Sequence, residues 1–122
     1  MDFNEDLSQA KVVIQSYTDG VIKINHQDYC HPIVITPENI TENFLSTQFE
    51  NITEDHIDRL CQSGAEVILL GTGNTQKRLP KNLFIRAAKN KKSIDVMSTA
   101  AACRTFSVLS TDGRMVIAAL FT

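Results

Sequence analysis

The sequence predicts an α/β domain with a partly parallel sheet, three helices and an opening β-meander. Two observations carry this reading. After position 66, three apolar runs of strand length (66–70, 94–97 and 115–120) alternate with segments of helical period, the pattern that builds parallel sheet. Before it, short runs rich in Val and Ile are separated by turn signals, as in antiparallel hairpins.

Residues 1–10 read as a loose tail and 11–122 as a single α/β domain. Lys11-Val12-Val13-Ile14-Gln15-Ser16 is the first expected strand, followed by the hairpin signal Thr18-Asp19-Gly20. Val21–Ile24 alternates as a second strand. Asn25-His26-Gln27-Asp28 reads as a turn, and Ile33–Thr36 as a third strand closed by Pro37. The stretch 38–52 has no clear period.

Thr53 then has the chemistry of a helix N-cap, with Glu54 and Asp55 suited to the first turn and Ile57, Leu60 and Cys61 forming an apolar stripe that ends at Gly64. Strand 66–70 is apolar after its first residue, as expected of a strand covered on both faces. Pro80 opens a helix predicted to turn Leu83, Phe84, Ala87 and Ala88 inward. Strand 94–97 leads to a third helix, with Thr99 expected as its cap, Ala102, Phe106 and Leu109 on one face, and Asp112-Gly113 at its end. Met115 to Leu120 is the last strand.

With 122 residues, 43% hydrophobic and 21% charged, the chain supports one core of ordinary composition. No apolar run approaches the ~20 residues of a membrane helix, so no membrane insertion is expected. The acidic start Met1-Asp2-Phe3-Asn4-Glu5-Asp6 is the reverse of a signal or transit peptide. Cys30, Cys61 and Cys103 are therefore expected as free thiols in a reducing, cytoplasmic setting.

Net charge is −2, unevenly laid out. Twelve of the fourteen acids lie in 1–66 and nine of the twelve Lys and Arg in 67–122, so the halves carry −9 and +7. Such asymmetry fits halves that neutralise one another, or a surface for an acidic partner. The segment 77–92 holds seven cations but one aromatic, Phe84. Nucleic acid, which favours interleaved aromatics, is not expected.

Two segments could form a site. Gly71-Thr72-Gly73 ends a strand, where glycines permit positive φ and close approach of an anion or carbonyl, or simply a sharp turn. It lacks the Gly-Lys-Ser/Thr of a phosphate loop and the third glycine of a dinucleotide fingerprint, so no cofactor is predicted. The second segment is Ser98-Thr99-Ala100-Ala101-Ala102-Cys103-Arg104-Thr105. A helix N-terminus and Arg104 would both lower the pKa of Cys103, the chemistry of a thiol nucleophile. Yet His26, His31 and His56 all lie in the first half, and a small buried thiol is the alternative. Cys30 and His31 would face opposite sides of a strand, so no metal is expected there. The loop 71–80 and the turn 98–105 are predicted to meet at the carboxyl ends of their strands.

These residues resemble a family of small, mostly uncharacterised proteins that includes the mitochondrial complex I assembly factor 3 and many bacterial and archaeal single-domain members. The resemblance rests on Gly71-Thr72-Gly73, Leu79-Pro80, Ile94-Asp95-Val96-Met97-Ser98-Thr99, Ala101-Ala102-Cys103-Arg104-Thr105-Phe106-Ser107 and Asp112-Gly113-Arg114. Tyr17-Thr18-Asp19-Gly20, Ile24-Asn25 and Ile33-Val34-Ile35-Thr36-Pro37 look like its opening hairpin. Ser98 stands where the family has an acid, Ser107 where it has an amide, and Lys91-Lys92-Ser93 where it often has Gly-Ile-Gly. The resemblance implies a three-layer α/β fold with a mixed central sheet, no established enzyme activity, and for the eukaryotic relative a partner-binding role in respiratory complex assembly.

The expectation is a non-catalytic binding or assembly-type protein. Its surface would be formed by Gly71, Thr72, Gly73, Ser98, Thr99, Cys103 and Arg104, its partner a protein, and its state a monomer or small homo-oligomer. The alternatives are a small hydrolase or transferase using Cys103, and an acidic-partner or nucleic-acid binder using 77–92.

Overall fold

A computed structural model describes residues 11–45 and 48–122. The expected tail, 1–10, lies outside the described residues. Strands β1 (Ile14–Thr18), β2 (Val21–Ile24) and β3 (Gln27–Tyr29) form an antiparallel meander. A five-stranded mixed sheet follows, built from β4 (Ile33–Ile35), β5 (Ile40–Glu42), β6 (Val67–Thr72), β7 (Ile94–Met97) and β8 (Val116–Phe121) in the order β5-β4-β8-β6-β7. The helices are α1 (Glu54–Cys61), α2 (Lys81–Lys89) and α3 (Thr99–Thr111), with a 3-10 turn at Phe49–Asn51.

Period-two alternation assigns the two faces of the sheet. Val34, Ile68, Leu70, Ile117, Ala119 and Phe121 pack with Ile57, Leu60, Leu83 and Ala87 of α1 and α2. Ile33, Ile35, Leu69, Val116, Ala118 and Leu120 pack on the other side with Ala102, Cys103 and Phe106 of α3, and with Ile22 and Ile24 of the meander. Helices, sheet, and helix plus meander make three layers. The fold is the three-layer mixed α/β class that the sequence and its resemblance imply.

β6 pairs in parallel with both β7 and β8, and β8 pairs antiparallel with β4. From β6 to β7 the chain moves outward through α2; from β7 to β8 it moves back through α3. Right-handed crossovers running in opposite directions need helices on opposite faces, and α2 and α3 occupy opposite faces.

Several local expectations hold for the stated reasons. Asp19 and Gly20 both take positive φ (52° and 77°), as a two-residue hairpin requires. Thr53 caps α1 through a reciprocal box: His56 N–H donates to Thr53 Oγ1 at 3.2 Å and Thr53 N–H donates to His56 Nδ1 at 3.0 Å.

Others need correction. The strand at 33–35 belongs to the main sheet and not to the meander, because its partner is β8. The meander's third strand is Gln27–Tyr29, a segment read as a turn. The first strand starts at Ile14 rather than Lys11, since the Lys11 and Val12 N–H groups donate to Pro37 O at 2.8 and 3.0 Å. The aperiodic stretch 38–52 supplies β5 and the 3-10 turn. On α2 only Leu83 and Ala87 are buried; Phe84 is 41% exposed and Ala88 is also exposed.

Candidate functional site

At the carboxyl ends of the parallel strands, the loop after β6 turns to one face of the sheet and the loop after β7 to the other. This is a topological switch point, the place where open α/β sheets hold ligands. Both sequence-derived segments are here, and they touch. Thr99 N–H donates to Gly73 O at 2.9 Å, and Gly73 N–H donates to Thr99 Oγ1 at 2.8 Å. The same hydroxyl donates to Phe121 O at 2.6 Å. One fully buried side chain thus ties the end of β6, the end of β8 and the start of α3 together. Gly71 permits the approach: a Cβ there would lie 2.8 Å from Thr99 Oγ1 and 2.9 Å from Thr99 Cα.

Thr99 is therefore not the cap it was expected to be. Ser98 is the cap, extended at φ −63°, ψ 156°, its side chain accepting from Ala101 N–H at 3.3 Å. Thr99 occupies the first helical position because its hydroxyl is taken by the strand ends. An acid, which the resembled family carries at the position of Ser98, caps a helix as well as serine does. Thr72 is closed locally as well: its hydroxyl donates to Thr75 O at 2.6 Å and accepts from Lys77 N–H at 3.0 Å.

Cys103 sits one turn into α3, 6% exposed. Burial pushes its thiol up to about 11, and Arg104 only partly opposes this. The three histidines are committed elsewhere: His26 to Gln15, His31 to Glu42 at 2.8 Å, and His56 to the cap of α1. Beside Cys103 a cavity of about 420 Å³ is lined by Ile14, Tyr17, Ala100, Arg104 and Val108. The Tyr17 hydroxyl donates to Asn74 Oδ1 at 2.7 Å, and burial pushes its pKa up. A separate hollow of about 350 Å³, bordered by Phe49, Thr72, Gly73, Lys77 and Phe121, lies toward the loop after β6. The two predicted segments are thus neighbours that line different hollows.

The basic segment is partly neutralised. Arg86 holds Asp58 through two hydrogen bonds of 2.8 and 2.7 Å and reaches Glu54 at 3.3 Å. With Asn90 it draws the Asp58 carboxyl down to about 2. Lys77 pairs with Glu50 at 3.2 Å, and Lys92 donates to Ala65 O. Arg78, Lys81, Lys89 and Lys91 have no carboxylate within 4.0 Å among the described residues.

The sequence reading missed a third feature. A hollow of about 720 Å³ runs along the outer side of β7, lined by Lys77, Arg78, Phe84, Asp95, Val96 and Met97 among others. The available signal was the width of the apolar arc on α2. Leu83 and Ala87 alone suffice for the sheet, so Phe84 and Ala88 are surplus to it.

Among the described residues, no three His, Cys, Asp or Glu side chains gather as a metal site, and no helix is long and apolar enough to cross a membrane. The chain is 30% identical to the 13 kDa major membrane protein of Francisella tularensis, covering 95% of both chains. It is 30% identical to the zebrafish NADH dehydrogenase [ubiquinone] 1 alpha subcomplex assembly factor 3, covering 93% of this chain and 66% of that one. A crystal structure of a Bordetella parapertussis protein superposes with a TM-score of 0.83 at 28% identity, covering 93% of this chain and 97% of the other. Residues 14–121 match the family described as protein of unknown function (DUF498/DUF598), and the chain belongs to that family.

Proposed function

We propose that this chain is a non-catalytic, assembly-type protein that holds a polypeptide partner and converts no substrate of its own. The carrying observation is the Thr99 junction: where an α/β enzyme would admit substrate, a buried hydroxyl already joins Gly73 and Phe121. The names of the complex I assembly factor relatives point the same way. The surface around Gly71–Gly73, Ser98, Thr99, Cys103 and Arg104 would then act through its rim. Arg104 and the loop 74–78 are exposed there, while Thr99 and the glycines give it a rigid base. Free thiols, one exposed at Cys30, suit a reducing compartment, and we place the protein in the cytoplasm as a monomer or small homo-oligomer.

Deletion of the gene in its host, followed by native-gel quantitation of NADH:ubiquinone oxidoreductase, tests this reading. Fully assembled complex should fall on deletion and return with either the natural chain or Cys103→Ala. An unchanged complex would overturn the assembly role. A folded Cys103→Ala chain that fails to restore it would move the balance to the thiol reading.

A further inference from the structure

β7 is the last strand of the five-stranded sheet and, among the described residues, pairs only with β6. Alternate N–H and C=O groups of an edge strand point away from the sheet. Among the described residues, the outward backbone groups of Ile94–Met97 have no partner. Natural sheets usually blunt such an edge with a loop, a helix or charge. The opposite edge fits that habit: β5 has three residues and ends on Glu42, which His31 engages at 2.8 Å. β7 carries one charge, Asp95, whose register partner Leu69 belongs to the α3 face. On the α2 face, Val96 is half-buried and Phe84 stands 41% exposed across the hollow. An apolar ring beside an unfilled strand position is what α2 would present if the sheet were one strand short.

Resting on the partner-binding reading above, we propose that β7 takes an acidic, extended segment of a partner protein as a sixth strand. The backbone of β7 would supply the hydrogen bonds, a mode in which main chain gives affinity and alternate side chains give specificity. Four residues span roughly 13 Å, so a short segment is enough. Its apolar side chains cover Phe84 and Val96 on the α2 face, and a carboxylate just past the paired residues, at the Met97 end, meets Arg78, which has no carboxylate partner among the described residues. Charge selects this occupant over a second copy of the chain. A two-fold β7–β7 pair that keeps each face with its like is antiparallel, and it brings the two Asp95 carboxylates together on the α3 face. Like charges placed so oppose pairing.

A displayed library of random twelve-residue peptides, selected against the folded full chain, tests the proposal. Enriched peptides should carry apolar residues at alternate positions with Asp or Glu at one end, and should shift the amide resonances of Ile94–Met97 and Phe84. Phe84→Asp should weaken them by about tenfold or more, and Arg78→Glu should turn the selection toward basic peptides. Both positions are exposed, so unchanged melting curves confirm that the variants are folded. The proposal is overturned by peptides without acidic preference, by binding indifferent to both substitutions, by no enrichment, or by a dimer in sedimentation that Phe84→Asp abolishes. Complementation of the deletion strain separates this idea from the one beneath it. If deletion lowers the complex and the Phe84→Asp, Arg78→Glu chain restores it fully, the edge fails and the assembly role stands. If deletion has no effect but the peptides behave as described, the assembly role fails and the edge stands.

Discussion

The carboxyl ends of β6 and β8 and the outer side of β7 lie on one sheet, yet they are finished in opposite ways. At the first, Thr99 satisfies Gly73 and Phe121 with a single buried hydroxyl, and Gly71 has no side chain so that Thr99 can come close. At the second, a strand of four residues leaves its outer backbone groups without a partner among the described residues, beside an exposed phenyl ring. The comparison teaches where rigidity and adaptability sit. A buried donor must find a partner inside the protein or cost about 1–3 kcal/mol, so the switch point is fixed by the chain itself. An exposed edge loses nothing by waiting, because water satisfies it until another chain replaces the water.

The largest effect expected from breaking this contrast is at the junction. Thr99→Val keeps the shape but orphans Gly73 N–H and Phe121 O, and should cost roughly 3 kcal/mol in chemical denaturation. Gly71→Ala should cost about 1–3 kcal/mol through overpacking against the Thr99 backbone. A loss under about 0.5 kcal/mol for both, the range of ordinary surface changes, would break the claim that the junction is structural.

Next in size is the reactivity of Cys103. Raised from 9.0 to about 11, its thiol holds about a hundredfold less thiolate at neutral pH than an unshifted one. In the folded protein, exposed Cys30 should be alkylated well ahead of Cys103, read by mass spectrometry of digests. Rapid modification of Cys103 alone would reopen the switch point as a reactive site.

A smaller effect sharpens the corrected cap. Ser98→Ala should cost about 1 kcal/mol, while Ser98→Asp should be nearly neutral. A large loss with aspartate would mean that Ser98 does something other than cap α3. The smallest effect is at the edge. Phe84→Ser should change stability by no more than about 0.5 kcal/mol, measured by thermal melting, because its ring supports little of the core.

How far these features were legible follows from the range of the interactions that fix them. The Asp19-Gly20 turn, the Thr53 cap and the buried strand β6 depend on neighbours within a few residues, and the sequence shows them directly. β3 and β5 are polar three-residue strands, Gln27–Tyr29 and Ile40–Glu42, held by pairing rather than by their own pattern. Ile33–Ile35 reads as a strand, but its place beside β8 is set by residues some eighty positions away. At the site, the meeting of Gly73 and Thr99 follows from strands whose loops emerge side by side. The exchange of roles between Ser98 and Thr99 does not, because either hydroxyl could cap. Phe84 looks like core on a helical wheel; only the sheet order, which ends at β7, leaves it uncovered.

Native-state hydrogen exchange, resolved by residue, tests the contrast most directly. The Gly73 and Thr99 amides, both bonded at the junction, should exchange only through global unfolding, as the most protected core amides do. Alternate amides of Ile94–Met97, those facing away from β6, should exchange orders of magnitude faster under the same conditions. Fast exchange at Gly73 together with uniform protection along β7 would contradict the account, since it would mean that the switch point opens and the edge is already covered.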